Sequence, residues 1–307
     1  MSIVDELTKA RPERDTVLTI GVFDGVHLGH QHLISQLKEK SKEAGLLSVV
    51  VTFSQHPQAM LAPYAELPYL TSLEERVELI QALGVGHIVV LPFTNELAQL
   101  TARDFISLLR EFLRMRRLVI GPDFALGRGR EGNAEVLRSL GQKFDFAVEI
   151  VPPLMIGEQV VSSTTIRRGL AEGDVENIAT MLGRRFRLSG TVVHGDHRGG
   201  PLLGFPTANL AIPGNHVLPA DGIYFTLAHL KDAGYRSATS IGVRPTFDPG
   251  DRTIETYILD FNGDLYGRQL TIEFVRRLRD ELRFETPDAL KAQIESDVTI
   301  ARTLPIE

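Results

Sequence analysis

His27 and His30 flank Leu28-Gly29 in the run Gly21-Val22-Phe23-Asp24-Gly25-Val26-His27-Leu28-Gly29-His30. Imidazoles can donate hydrogen bonds and carry charge, and glycines let a backbone come close to a ligand. One histidine in such a run ordinarily caps or packs. Two aimed at the same junction point to an anion. A second set is Ser162-Ser163-Thr164-Thr165-Ile166-Arg167-Arg168. Its hydroxyls can cap a helix, which alone would explain them. An Arg in the first turn adds a planar fork of donors suited to phosphate oxygens. A third set is Thr207 and Asn209 in Gly204-Phe205-Pro206-Thr207-Ala208-Asn209. Two oxygen ligands on one side of a strand start suit Mg²⁺, although Thr-x-Asn alone would as readily shape a turn. Glu255 stands on a short apolar run further on, where a carboxylate facing solvent would be unremarkable.

Elements of matching type surround the first two sets. Residues 17–20 read as a buried strand leading into the histidine run, and Leu33, Ile34 and Leu37 follow at helical spacing. That junction presents free N–H groups and the positive end of a helix dipole, both favourable to phosphate. Further strands are predicted over 46–53, 87–91, 118–120 and 146–151. Helices are predicted from a capping box at Thr71-Ser72, over 101–115 and over 131–140. Strand–helix alternation implies a parallel, Rossmann-like sheet covered on both faces, with ligands beyond the carboxyl ends of its strands. Gly121-Pro122-Asp123-Phe124 and Thr52-Phe53-Ser54-Gln55-His56-Pro57 lie at such ends. Gly173-Asp174-Val175 opens a last short helix that ends at Leu182-Gly183.

From Phe186 the period becomes two, and turns recur at Gly199-Gly200, Pro213-Gly214, Asp232-Ala233-Gly234, Pro249-Gly250 and Asn262-Gly263. Short runs over 188–193, 223–230, 238–243, 254–261 and 269–274 read as strands of a small antiparallel barrel. Thr286-Pro287 opens a terminal helix reaching about residue 300. Two domains follow, 1–184 and 185–307.

Composition narrows the function classes. The chain of 307 residues is 43% hydrophobic and 23% charged, with a formal net charge of −6. That balance gives nucleic acid or an anionic membrane no general attraction. The absence of cysteine excludes disulfides, thiolate metal sites and a Cys nucleophile. No apolar run approaches the ~20 residues of a membrane span, and the acidic N-terminus has no apolar core of signal-peptide length. A soluble cytoplasmic protein is the expectation.

The histidine run and Ser-Ser-Thr-x-x-Arg resemble the signatures of nucleotidyltransferases that transfer AMP or CMP. The longer match Gly-x-Phe-Asp-Gly-x-His-x-Gly-His, together with Gly204-Phe205-Pro206-Thr207-Ala208-Asn209, resembles the bifunctional bacterial riboflavin kinase/FAD synthetase family. The resemblance covers nearly the whole chain in the family's domain order. Val193-His194-Gly195-Asp196-His197-Arg198-Gly199, Ile241-Gly242-Val243-Arg244-Pro245-Thr246-Phe247 and Asp260-Phe261-Asn262-Gly263-Asp264-Leu265-Tyr266-Gly267 are similar to further family signatures. It implies phosphorylation of riboflavin to FMN in the second domain, releasing ADP. It implies adenylylation of FMN to FAD in the first, releasing pyrophosphate. ATP and Mg²⁺ serve both steps. His27, His30 and Arg167 would stabilise charge in adenylyl transfer, and Glu255 would activate the ribityl hydroxyl. Nucleotide would contact Gly21, Phe23, Asp24, Gly25, Gly29, Asp123, Ser162, Ser163 and Thr164 in one domain. In the other it would contact Gly195, Arg198, Gly204 and Pro206. Thr207 and Asn209 would hold the metal, and His56, Phe124, Arg279 and Glu281 would meet flavin.

Four features depart from the family pattern: Gln55, Leu126, Val243 and a spacer at Gly200-Pro201-Leu202-Leu203 that is one residue longer. A chain with one impaired half, or a flavin- or nucleotide-binding regulator without turnover, is the alternative. A regulator would be marked by loss of His27, His30, Arg167, Asn209 or Glu255, and all are present.

Overall fold

The computed structural model describes residues 2–56, 67–195, 204–231, 233–243 and 252–306. It forms two compact units, Met1–Ser163 and Thr164–Glu307. The predicted features at Pro57, Arg198, residues 200–203, residues 244–247 and Pro249-Gly250 lie outside the described residues.

The first unit is the expected α/β layer. Strands β1 (Thr16–Ile20), β2 (Leu47–Phe53), β3 (His87–Leu91), β4 (Met115–Ile120) and β5 (Ala147–Ile150) form a parallel sheet in the order β3-β2-β1-β4-β5. Every residue of β1 is buried, so this central strand reads as an unbroken run rather than an alternation. Alternate strand residues serve opposite faces. Val17, Val50 and Val119 pack with Ile34, Leu37 and Ile80 of α2 (Leu28–Ala44) and α3 (Leu73–Ala82). Leu18, Val49 and Leu118 pack with Leu7, Ile106, Leu109 and Leu137. These come from α1 (Ile3–Lys9), α5 (Ala102–Phe112) and α6 (Ala134–Phe144); a short α4 (Asn95–Gln99) precedes α5. Strand order reverses between β1 and β4, and a ligand crevice opens beyond the carboxyl ends at such a point.

Several boundaries moved. The helix predicted over 101–115 stops at Phe112, because Arg114 adopts φ +53° and Met115 enters the core as the first residue of β4. The helix predicted from 131 starts at Ala134, because Asn133 caps it through Glu135 N and Val136 N. Of the expected capping pair, only Ser72 caps α3. The hairpin β6 (Met155–Ile156) and β7 (Gln159–Val160) was not anticipated.

α7 (Ser163–Glu172) opens at the unit boundary, and α8 (Val175–Leu182) follows it. Both pack with the second unit. Ala220 N donates to Leu170 O at 2.8 Å, and Arg276 pairs with Glu176 at 2.9 Å. The change of periodicity at Phe186 therefore comes later than the change of packing partner. The barrel is closed, in the order β10 (Gly222–Leu230), β11 (Ala233–Val243), β12 (Arg252–Ile258), β9 (Ala208–Ala211), β8 (Arg187–Val193), β13 (Gln269–Arg279). Ala233 and Gly234, expected in a turn, already belong to β11. Buried Thr226, Ser237, Thr239 and Thr256 satisfy one another through hydroxyl contacts of 2.7, 2.7 and 2.9 Å. Helix α9 (Pro287–Thr303) closes the outer face, its C-terminal carbonyls at Ala301 and Leu304 accepting from Arg236 Nη1 at 2.7 and 2.8 Å.

Candidate active sites

The turn after β1 builds the first site. Phe23 and Val26 both have positive φ, +55° and +38°. A β-branched residue in that region is strained, and such strain persists only where neighbours enforce it. The braces are polar. The Asp24 carboxylate accepts from Leu70 N at 3.0 Å, Thr71 N at 3.1 Å and Thr71 Oγ1 at 3.3 Å. Gly25 N donates to Thr71 Oγ1 at 3.0 Å, and Ser163 Oγ donates to Asp24 O at 2.9 Å. Arg76 Nη1 and Thr52 Oγ1 donate to Val22 O at 2.7 and 3.0 Å. Gly25 sits at φ +82°, where an added Cβ would also come within 2.8 Å of Leu70.

This turn presents the histidines. His27 caps α2: its Nδ1 accepts from His30 N at 3.2 Å, so its proton resides on Nε2. The two rings stack at 3.6 Å and 17°, and Phe23 meets His30 edge-on at 5.2 Å. Gly29 lets the helix start approach, since a Cβ there would stand 2.9 Å from Val161 O and 3.1 Å from the His27 ring. His30 titrates well below its usual range, first through burial, then through the neighbouring His27 and Arg76. A neutral imidazole pair facing an anion supplies donors without prior charge.

A cavity of about 610 Å³ opens beside this turn, at the reversal of strand order. Gly21, His56, Asp123 and Phe124 line it together, with Phe53, Phe93, Phe105 and Leu126 as apolar walls. Two of the expected nucleotide contacts are buried. Asp24 is buried and its carboxylate serves the 70–71 backbone; Phe23 is buried in the core behind His30. Ser162 precedes α7, Ser163 begins it, Thr164 is exposed in its first turn, and Arg167 lies one turn along.

The second site straddles β12. One cavity, about 360 Å³, lies on the outer face under α9 and is lined by Glu255, Tyr257, Arg279, Glu281 and Phe284. The other, about 400 Å³, is lined by Pro206, Thr256, Ile258, Asp264 and Tyr266. Thr207 belongs to both. Its hydroxyl donates to Glu255 Oε2 at 3.2 Å, and strand pairing sets Asn209 opposite Glu255. Gly195 admits the Asn209 amide, which any Cβ there would overlap. Gly204 takes φ +80° at the approach to this rim. His194 and Tyr266 stack at 3.9 Å. Among the described residues no three His, Cys, Asp or Glu side chains gather. The hydroxyl of Thr207 and the amide oxygen of Asn209 instead suit a hard cation that takes few protein ligands and completes its shell with phosphate and water.

In the outer cavity Arg279 is gripped by buried Asp297, at 3.0, 3.1 and 2.6 Å. Gln293 Nε2 donates to the same carboxylate at 3.0 Å. The Glu281 carboxyl lies against Gly242, where a Cβ would overlap it; burial, then Asp221, raise its pKa. Asp297, Thr71 and Arg76 were missed from sequence. An acidic residue four places after Gln293 on an amphipathic helix, and an Arg after two glutamates, both read as solvent-facing.

Two family profiles match in series: FAD synthetase over residues 9–165 and riboflavin kinase over 182–304. A bifunctional riboflavin kinase/FMN adenylyltransferase of Pseudomonas fluorescens is 37% identical over 307 residues, covering 99% of this chain and 98% of that one. The protein of the same name from Escherichia coli (strain K12) is 36% identical over 293 residues, covering 95% and 93%. A crystal structure described as a macrolide-efflux protein from Streptococcus pneumoniae superposes with TM-score 0.89 at 32% identity, over 97% of each chain. In the present chain, no helix among the described residues is long and apolar enough to cross a membrane.

Proposed function

This chain belongs to the bifunctional riboflavin kinase/FMN adenylyltransferase family, and from that premise we propose how its two sites divide the work. The enzyme makes FMN from riboflavin and ATP, then FAD from FMN and ATP. The observation that carries a two-site reading is that each unit has its own cavity with polar side chains at its edge. The activities divide at 184/185.

In the barrel, riboflavin occupies the outer cavity, held by Arg279 and Glu281, and ATP the cavity at Pro206 and Tyr266, approached by Gly195 and Gly204. The acceptor hydroxyl and γ-phosphate then meet at Thr207. Glu255 takes the hydroxyl proton as the O–P bond forms and ADP leaves; a positioned base contributes about 10²–10⁴-fold. Thr207 and Asn209 would hold Mg²⁺, which when bound neutralises charge on the transferring phosphate.

In the first unit, FMN lies in the cavity of His56 and Phe124, and Gly21, Gly25, Gly29 and Asp123 border the ATP. The FMN phosphate attacks the α-phosphorus, and pyrophosphate leaves. No protein nucleophile is needed. His27 Nε2–H and His30 donate to the charge that develops, while Ser162 and Ser163 hold the leaving phosphates; for Thr164 and Arg167 the same role rests on the Ser-Ser-Thr-x-x-Arg motif alone. We place these reactions in the cytoplasm, with no part for nucleic acid or membrane.

Chromatography of products from riboflavin or FMN with Mg-ATP tests this. Wild type yields FMN and then FAD. Glu255→Ala loses FMN formation by about 10²–10⁴-fold and still converts added FMN to FAD. Retained kinase activity would remove Glu255 from its role; unconverted FMN in wild type would remove the adenylylation reading.

A further inference from the structure

Arg76 is the largest fully buried side chain in the described structure, 1% exposed, and nothing in the mechanism above uses it. A guanidinium keeps its proton in a protein, so a permanent cation is enclosed in the first unit. It spends one bond on Val22 O, at 2.7 Å, at the last step before the strained residues Phe23 and Val26. Its Nε is buried with no hydrogen-bond partner among the described residues, as is Nδ1 of His30. An enclosed cation is costly unless well paired, and packing alone would be served by an apolar side chain.

We propose that Arg76 is a positioning residue for adenylyl transfer: it pins the carbonyl that starts the strained turn and sets a fixed positive charge behind the stacked His27–His30 pair. The inference rests on the reading of the first unit as the adenylyltransferase. Two effects follow from one side chain. Holding Val22 fixes the entry of a turn whose exit is the His27 cap, so both imidazoles inherit its geometry. The charge opposes a proton on His30, so the pair meets ATP as neutral donors. The charged and titratable groups around this arrangement are His27 beside His30, and Asp24, Tyr69 and Glu74 around Arg76. The Asp24 carboxylate is already committed to the 70–71 backbone, and Arg76 makes no hydrogen bond to it.

The test uses the full chain, with riboflavin phosphorylation as an internal control in the same molecule. Arg76→Met should lower kcat for FMN adenylylation about 10²-fold, the usual cost of displacing catalytic groups by about 1 Å. KM for FMN should change less than about threefold, and the kinase rate less than about twofold, since neither the cavity walls nor the barrel contain Arg76. The acid limb of the adenylylation pH profile should move upward, because His30 loses an opposing charge. A merely structural role would leave that limb in place. Arg76→Lys keeps the charge without the planar fork, so its acid limb should match wild type while kcat falls about threefold to tenfold. A folded Arg76→Met with wild-type kcat and an unmoved limb overturns the inference. Should Arg76→Met fail to fold, Arg76→Lys decides: wild-type kcat, or a limb that moves although the charge is kept, overturns it. A wild-type chain that converts FMN while Arg76→Met equals it removes only the role of Arg76. A wild-type chain that leaves FMN untouched removes the adenylyltransferase reading as well.

Discussion

The turn after β1 and the rim at β12, the two places proposed to handle phosphate, reach their geometry by opposite routes. The rim relies on strand register: Asn209 faces Glu255 because β9 pairs with β12, and Thr207 falls into bonding distance beside them. The turn relies on tertiary braces. Its backbone is strained at Phe23 and Val26, and the groups that hold it come from residues 52, 70, 71, 76 and 163. Register propagates through many backbone bonds, so one lost side chain leaves a rim in place. A braced turn has fewer supports, and each matters more. The chemistry differs in the same sense. The rim sets a hydroxyl, an amide and a carboxylate side by side, while the turn holds His30 neutral near a buried guanidinium.

The largest structural effect should come from the one place where the barrel site behaves like the turn, the Arg279–Asp297 clamp. Asp297→Ala leaves a guanidinium, only 17% exposed at its side chain, without its partner. Breaking one side of such a pair costs about 3–5 kcal/mol. The barrel transition in calorimetry should fall accordingly, and KM for riboflavin should rise. Equal stability with unchanged KM would mean that Arg279 does not depend on the clamp. FMN adenylylation is the control that should not move.

Asp24→Ala should come next. It strips the acceptor from Leu70 N and Thr71 N, both buried, and an unsatisfied buried donor costs about 1–3 kcal/mol. The first unit should lose about 3 kcal/mol, adenylylation should fall, and the kinase should be unaffected. Since the carboxylate faces the braces, KM for ATP should change less than kcat. A selective rise in KM for ATP would return Asp24 to the nucleotide, where sequence reasoning put it.

That difference shows what was legible. The alternation of buried runs with amphipathic helices identified the parallel sheet. The period-two runs identified the barrel, because both patterns are one-dimensional records of which face is dry. The rim residues Thr207, Asn209 and Glu255 were picked out by another signal, the resemblance of Gly204-Phe205-Pro206-Thr207-Ala208-Asn209 and of the Glu255 strand to family signatures, since Thr-x-Asn alone reads as a turn. The braces were not. Arg76 follows Glu74-Glu75 on a helix, Asp297 follows Glu295-Ser296, and a charged residue in such company reads as solvated. Their burial is set by loops and helices that meet only in the folded chain. Thr71 resembled half of a capping box, and its hydroxyl instead serves Asp24 and Gly25. The β6–β7 hairpin carries its residues partly or fully exposed, so no apolar pattern marked it.

The smallest expected effect separates the two units by pH. His30 is held neutral in the folded first unit, its pKa well below the usual 6.5, chiefly by burial. In the unfolded chain it takes up a proton near pH 6.5. Below that pH the unfolded state binds more protons, so stability falls as pH drops, by at most about 1.4 kcal/mol per pH unit for one group. Above about pH 7 this contribution is constant. Glu273 in the barrel has the other sign of group. Burial raises its pKa, but bonds from Arg185 and Arg187 prevail and hold it below the usual 4.5. Its contribution is complete above that value and is lost only as pH falls through the folded pKa. Calorimetry between pH 7.5 and 5 should therefore lower the transition of the first unit while the barrel transition holds. His30→Gln should flatten the first unit's response. A barrel that softens first, or a His30→Gln chain as acid-sensitive as wild type, would place the titrating group elsewhere. The contrast between a turn kept neutral and a barrel wall kept charged would then not survive.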